Sequence, residues 1–350
     1  MLKLIIFLYI NKSNFHCKFV TTISYMKIQQ FLKFQPILKE KIWGGEKLAL
    51  YLNKNSNKTN IGESWEISDV ENDTSVVSNG ALRGKNLKEL IVEFKEELVG
   101  NKIFNQFGEK FPLLIKFIDA KEALSIQLHP NDKLAKERHN SFGKTEMWYV
   151  MQADEQANLI VGFQKKVTAQ EYVTHLENKT LLDILNVDKV SSGDVYFIPT
   201  GRVHAIGAGV LLAEIQQTSD ITYRVYDWDR PNPDGSYRDL HTEEAIDAID
   251  YKVQDSYKTS YSKKENHSAE IVSCQYFTTN VLPITNPVQI NHSDKDSFVI
   301  YMNVKGEVDF LLNNSKERLK EGETLLVPAC INNFNITPLE DSELLEVFIK

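Results

Sequence analysis

Two periodicities divide this chain. From residue 86 to 98, Leu87, Leu90, Ile91, Phe94 and Leu98 recur at helical spacing, which predicts one amphipathic helix with a packed face. Asn86 with Glu89 three residues later forms a capping box at its start, and Gly100 supplies a stop. Further helices are predicted within 131–138, from Thr168 with Glu171 as its capping partner, from Thr180 to about Asn186, and from Thr242 to about Asp250. Elsewhere the pattern is that of strands: 61–70, 111–120, 147–151, 194–199 and 209–217. The charged, Ser/Tyr-rich stretch Lys252–Asn266 reads as a linker or exposed loop, and 269–349 holds only strands and turns. Short strands at regular spacing predict a sandwich or jelly roll. The expected fold is therefore mainly β, with two jelly-roll β-domains and a small helical insertion. Its expected divisions are an N-terminal extension (1–33), a first domain (34–255, helices near 85–110 and 165–187) and a second domain (256–350). GDVYFIPTG at 193–201 is echoed by GETLLVPAC at 322–330, which two β-domains of one ancestry would explain.

Chemistry concentrates in two stretches. In the first, SIQLHP at 125–130 reads as a strand end closed by Pro130. Side chains on a strand repeat with period two, so Gln127 and His129 share a face. Glu146 follows 17 residues after His129, at the start of the apolar run MWYVM. An imidazole, an amide oxygen and a carboxylate aimed into one space are typical ligands of a divalent metal. The second stretch is GDVYFIPTGRVH at 193–204, where a strand runs into a Pro-Thr-Gly turn that swings His204 back over the barrel mouth. Its spacing matches the second half of the cupin motif, with Ala208 where an Asn often ends it, and the QLH of 127–129 with Glu146 would supply the first half.

The Gln in place of the usual first His narrows the match. Gln-x-His-Pro, then Gly-Lys-Thr-Glu-x-Trp-Tyr, then Pro-x-Gly-x-x-His-Ala resembles the type I mannose-6-phosphate isomerases, also called phosphomannose isomerases. KEKIWGG (39–45), IGESWEIS (61–68), FPLLIKFIDA (111–120) and SDITYRVYDWDR (219–230) look like that family's short bacterial form, and the resemblance covers about 34–350. It implies two cupin-type jelly rolls and one zinc ion held by Gln127, His129, Glu146 and His204. It also implies a zinc-dependent aldose–ketose isomerase acting on mannose 6-phosphate and fructose 6-phosphate, with Arg224 essential near the reacting carbons or the phosphate. Moving a proton between C1 and C2 through an enediol needs a base. Glu214, on the strand after the His204 turn, is the candidate, with Asp220 and Glu66 as weaker options. Trp65, Trp148 and Tyr223 are candidate walls of the sugar pocket. His139, His175, His241, His267 and His292 read as surface or structural residues, and 269–350, without His-x-His or Glu at ligand spacing, as a metal-free jelly roll.

Composition adds bounds. The 350 residues are 42% apolar and 25% charged, a globular profile, and the net charge of −8 argues against a general affinity for nucleic acid. A dianionic sugar phosphate on an acidic protein requires a local cluster of cations, and Lys116, Lys144, Arg202 and Arg224 all lie within the motifs as candidates. Lys144, two residues before Glu146, projects to the same side if that segment is extended. Three widely spaced cysteines suit a reducing cytoplasm. The apolar run 2–10 is too short to span a bilayer, so residues 1–25 read as an upstream extension and no membrane partner is expected. Two other classes compete: a non-haem iron cupin oxygenase, for which two histidines and one carboxylate would serve, and a sugar-phosphate-binding cupin without turnover.

Overall fold

Alternation along the strands builds the first half of the protein. The computed structural model describes residues 28–350, so the apolar run at 2–10 and the extension read over 1–25 lie outside the described residues. Along Leu113–Ala120, Leu113, Ile115 and Phe117 enter one core while Ile118 and Ala120 enter another. Val210–Gln217 divides the same way, with Leu211, Ala213 and Ile215 on one face and Val210 and Leu212 on the other. These strands sit at the centre of a six-stranded antiparallel sheet ordered Ile37–Gly45, Ile61–Ile67, Leu113–Ala120, Val210–Gln217, Glu146–Ala153, Val195–Ile198. Facing it is a five-stranded sheet ordered Tyr223–Tyr226, Ile126–Leu128, His204–Ile206, Asn158–Phe163, Leu185–Lys189. The core between the two sheets holds Trp43, Ile118, Trp148, Val161, Tyr196 and Leu212, so this is the interior of a β-sandwich of jelly-roll type.

The C-terminal part forms a second sandwich. A five-stranded sheet (Ala269–Ser273, Thr278–Ile284, Ser342–Phe348, Val299–Lys305, Thr324–Val327) packs on a four-stranded one (Val288–Asn291, Asn333–Pro338, Glu307–Leu312, Ser315–Lys320). Their shared core contains Ile284, Tyr301, Phe310, Leu325 and Ile336. The expected mainly-β fold with two sandwich units and a helical insertion is thus what the chain adopts. Inside the second unit, His292 Nε2 lies 3.1 Å from both the Tyr301 hydroxyl and Glu346 Oε1, a buried structural cluster. No helix among the described residues is long and apolar enough to cross a membrane.

The junction between the units is where the structure departs from the periodicity. The single helix anticipated over 87–98 is broken at Lys95, whose φ is 47°, into Leu87–Phe94 and Glu96–Val99; a third helix, Asn101–Phe107, follows Gly100. Beyond the break, the carbonyls of Glu97, Leu98 and Val99 accept the amides of Cys330, Ala329 and Phe298 of the second unit (3.0, 2.9 and 3.3 Å). Asp296 then caps the third helix, taking the amides of Asn101 at Oδ1 (2.7 Å) and Lys102 at Oδ2 (3.0 Å). Leu90, Leu98 and Ile103 still reach one core, which also contains Phe117 from the first unit and Phe298 and Leu345 from the second. Gly100 has φ +94°, and a Cβ there would stand 2.4 Å from the Asp296 carbonyl oxygen. Gly100→Ala is therefore expected to destabilise the protein by about 2–3 kcal/mol, seen as a lowered thermal midpoint; an unchanged midpoint would show that this junction can shift at no cost.

Other expectations are adjusted in detail. The capping boxes at Asn86/Glu89 and Thr168/Glu171 both form, the latter opening the helix Ala169–Glu177. Asn131 caps Asp132–His139. The segment expected as helix from Thr180 is a 3-10 turn, Leu181–Ile184, which leads into a strand, and the helix from Thr242 ends at Ile246. Residues 252–266 are not a free linker. Thr259 N donates to the Val195 carbonyl, and the Tyr257 hydroxyl both donates to Phe163 O and accepts from Phe163 N (2.9 and 3.1 Å). Ahead of the first sheet, Ile28, Phe31 and Leu32 are buried, with Leu32 paired to Leu326 of the second unit.

Candidate metal centre

The site sits inside the first sandwich, built from facing rows. On the five-stranded sheet, Arg224 pairs with Gln127, Gln127 with His204 and His204 with Val161, so these four share the inner face. Opposite them, Glu146 opens its strand beside Gln216, and Trp148 pairs with Glu214, which pairs in turn with Lys116 and through it with Trp65. The period-two rule thus aims Gln127, His204, Glu146, Trp148, Glu214, Lys116 and Trp65 into one space. The turn before His204 is fixed to the first motif: Gly201, at φ +82°, donates its amide to the His129 carbonyl (2.8 Å).

His129, Glu146 and His204 are essentially inaccessible to solvent (1, 0 and 1% exposed), and their ligand atoms all lie within 4.8 Å of one another. Each imidazole is oriented by its far nitrogen. His129 Nδ1 donates to the Ile221 carbonyl and His204 Nδ1 to the Arg202 carbonyl, both at 2.8 Å. That places the lone pair of each neutral ring on Nε2, 3.5 Å from a Glu146 oxygen. Burial keeps both rings neutral, lowering His204 to about 3 and His129 well below its usual value. Burial, with the nearby charge of Glu214, raises Glu146 to about 7, and neither of its oxygens accepts a well-directed hydrogen bond. Lys144 Nζ stands 3.0 Å from Glu146 Oε2 as an ion pair and 3.1 Å from His129 Nε2. Two imidazole lone pairs and an unsatisfied carboxylate converging in a buried space are a donor set that fits a divalent metal. Gln127 lies beside them with its amide Nε2 3.4 Å from His204 Nε2, so ligation through its oxygen requires the amide to be flipped.

The cations expected around the site divide into two groups. Lys144 and Lys116 face the interior; Arg224 shares the inner row, half-buried, with Nε on the Ser125 hydroxyl (3.2 Å) and a terminal nitrogen on the Asp239 carbonyl (2.9 Å). The Arg202 guanidinium is instead committed elsewhere, 4.8 Å over the Tyr257 ring and 3.5 Å from Asp250. Lys116 donates to Glu214 Oε1 (2.9 Å) and Gln216 Oε1 (2.6 Å), while Trp148 donates to Glu214 Oε2 (2.9 Å). Burial alone would raise the Glu214 pKa, but Lys116 and Lys144 bring it down to about 2. With both oxygens engaged and so low a pKa, Glu214 is built to hold Lys116 and Trp148; the role of proton acceptor assigned to it from sequence has no support in this bonding.

The weaker options also change place. Glu66 faces away from the site, paired with Lys54 (2.9 Å) and Ser64 (2.6 Å), and Asp220 is exposed. Tyr223 is buried behind the five-stranded sheet with Leu128 and Val225, outside the pocket. Two inward-facing neighbours were not singled out by sequence reasoning: Gln216 on Lys116, and Glu63, which accepts the Trp65 indole N–H at 2.6 Å and pairs with Lys41 at 3.2 Å. Their signal was parity, since Glu63 shares a face with Trp65 and Gln216 with Glu214.

Comparison with known proteins agrees with this geometry. Residues 31–177 match the family described as phosphomannose isomerase type I, catalytic domain. The chain is 33% identical over 310 residues to the mannose-6-phosphate isomerase ManA of Bacillus subtilis, covering 87% of this chain and 95% of that protein. It is 34% identical over 304 residues to the mannose-6-phosphate isomerase of Streptococcus mutans, covering 87% and 94%. The crystal structure of the mannose 6-phosphate isomerase from Bacillus subtilis superposes with a TM-score of 0.82 at 33% identity, over 91% of this chain and 99% of that one.

Proposed function

The chain belongs to the type I phosphomannose isomerases, and from that membership we propose that it is a zinc-dependent enzyme interconverting mannose 6-phosphate and fructose 6-phosphate by enediol proton transfer. Relatives named for that activity, matched over nearly their whole length, support the reaction. The observation that carries the chemistry is the buried His129–Glu146–His204 cluster with its unsatisfied carboxylate, enclosed by Lys116 and Lys144.

In this reading His129, Glu146 and His204 hold zinc, with Gln127 as the fourth side chain. Bound zinc supplies a Lewis acid for the sugar oxygen at C1 or C2. The protein's own groups orient the ligands and offset charge. The carbonyls of Ile221 and Arg202 keep the two imidazoles in the ligating tautomer, which is how Arg202 serves the site although its guanidinium points elsewhere. Lys144 and Lys116 offset the negative charge of the substrate inside an acidic protein. Arg224 presents a permanently charged guanidinium on the row of Gln127 and His204, placed to stabilise an oxyanion developing on the sugar. Glu214 keeps Lys116 in position. Burial of these side chains makes the charges interact more strongly than they would in water.

The test is a coupled assay of mannose 6-phosphate conversion to fructose 6-phosphate. Turnover is expected in the enzyme as purified, loss after treatment with a chelator, and recovery on adding zinc; stoichiometric iron with oxygen uptake and no isomerisation would overturn the proposal. Arg224→Ala is expected to lower kcat/KM by about 10²–10³-fold, the usual cost of losing one stabiliser of transition-state charge, with the thermal midpoint little changed because the side chain is only half-buried. A fully active variant would remove Arg224 from the mechanism.

A further inference from the structure

Lys144 is held by clamps on both sides of its own backbone. Before it, the amide of Gly143 donates to Asp132 Oδ1 at 2.9 Å. After it, the amide of Thr145 donates to Gln217 Oε1 (2.9 Å) and the Thr145 carbonyl accepts from the Gln217 amide (3.1 Å). The two clamps are joined, because Gln217 Nε2 donates to the same Asp132 oxygen at 3.1 Å. Asp132 itself is the first residue of the helix capped by Asn131, so its carboxylate rises from a fixed base. Gly143 packs tightly there: a Cβ on it would stand 2.7 Å from the Asp132 amide nitrogen. The other Asp132 oxygen accepts the hydroxyl of Tyr276, which comes from the turn between Ala269–Ser273 and Thr278–Ile284 of the second sandwich. Every partner of the carboxylate is a donor, which calls for an acceptor at this point.

We propose that Asp132 is a positioning residue for the isomerisation: it sets Lys144 against Glu146 and His129, and Tyr276 extends that hold to the C-terminal β-unit. The inference rests on Lys144 serving the substrate, as assigned above. It gives the C-terminal unit a part in the active site, reaching the backbone around Lys144 through one hydroxyl and one carboxylate. The backbone between residues 143 and 145 is where the reach matters, because the ammonium must lie within about 3 Å of its partners to act, and a shift of 1 Å is costly in an oriented site.

A double-mutant cycle on the zinc-loaded full chain tests this, with zinc content and melting recorded for each variant. Asp132→Ala is expected to lower kcat/KM by about 10-fold in the wild-type background and by less than about 2-fold in a Lys144→Ala background, since groups acting through one another are not additive. Asp132→Asn keeps an acceptor for Gly143 and Gln217 and lets the Tyr276 oxygen accept from the new amide, so it is expected within about 3-fold of wild type. Tyr276→Phe, which removes only the hydroxyl, is expected to cost about 3-fold and to lose that effect when Lys144 is Ala. Equal losses from Asp132→Ala in both backgrounds, or no loss in the first, would overturn the positioning role. A Lys144→Ala enzyme as active as wild type, or a wild-type chain inert toward mannose 6-phosphate, would instead show that the functional reading beneath it is wrong.

Discussion

Glu146→Gln is expected to bind no stoichiometric zinc and to lose at least about 10³-fold in kcat, because removing a single oxyanion donor already costs about 10²–10³-fold and this change removes the Lewis acid altogether. Glu146 is the one anionic donor among the candidate ligands and the group that both imidazoles face. A neutral amide of the same shape can neither balance a dication nor keep both oxygens as acceptors. Two readouts separate this from unfolding. Metal analysis should give zinc near one per chain in the wild type and none in the variant. Added zinc should raise the thermal midpoint of the metal-free wild type, since a ligand that binds only the folded state stabilises it, and leave the variant unmoved. A variant that retains zinc and turnover would place the metal elsewhere.

The second large effect is on stability. Glu214→Ala strands the Lys116 ammonium inside the first sandwich and leaves the Trp148 N–H without its acceptor. Removing one member of a buried ion pair costs about 3–5 kcal/mol, and the value here is expected at the lower end. Gln216 still accepts from Lys116, and the charge of Glu63 still supports it. The companion variant Lys116→Met/Glu214→Leu removes both charges and should recover most of that stability in urea unfolding while leaving turnover low. If the single and double variants unfold at the same urea concentration, the pair is not the buried contact described here. The pH dependence has a definite sign. Burial opposes the charge on Glu214, but Lys116 and Lys144 hold its pKa at about 2, below the usual 4.5. Its stabilising contribution is therefore fully present above about 4.5 and is lost as pH falls through 2.

Much of the site was legible because it is written in period-two strands. Alternation put Gln127 with His129 and Lys144 with Glu146, and the motif spacing and family resemblance joined them to His204; in the structure these side chains lie close together. Arg202 shows where that reading stops. It lies in the same motif as His204, but its guanidinium is held by Tyr257, from the segment that read as a linker, and by Asp250, from the end of the helix expected after Thr242. Glu214 was singled out because its strand follows the His204 turn, yet its chemistry is decided by Lys116 and Trp148 on neighbouring strands, which occupy both of its oxygens.

The sequence by itself determined the elements whose causes are local: the capping boxes at Asn86 and Thr168, the strands with alternating faces, and the order of ligands along two motifs. Tertiary structure alone decided what depends on groups far apart in the chain. The helix expected over 87–98 is broken at Lys95, and beyond the break the carbonyls of Glu97, Leu98 and Val99 pair with amides some 200 residues away. Asp132 reads as an ordinary first-turn residue until Gly143, Gln217 and Tyr276 converge on it. The physical reason is the same in both places: a buried polar group must find a partner, and periodicity shows which side it faces but not which distant donor will arrive there.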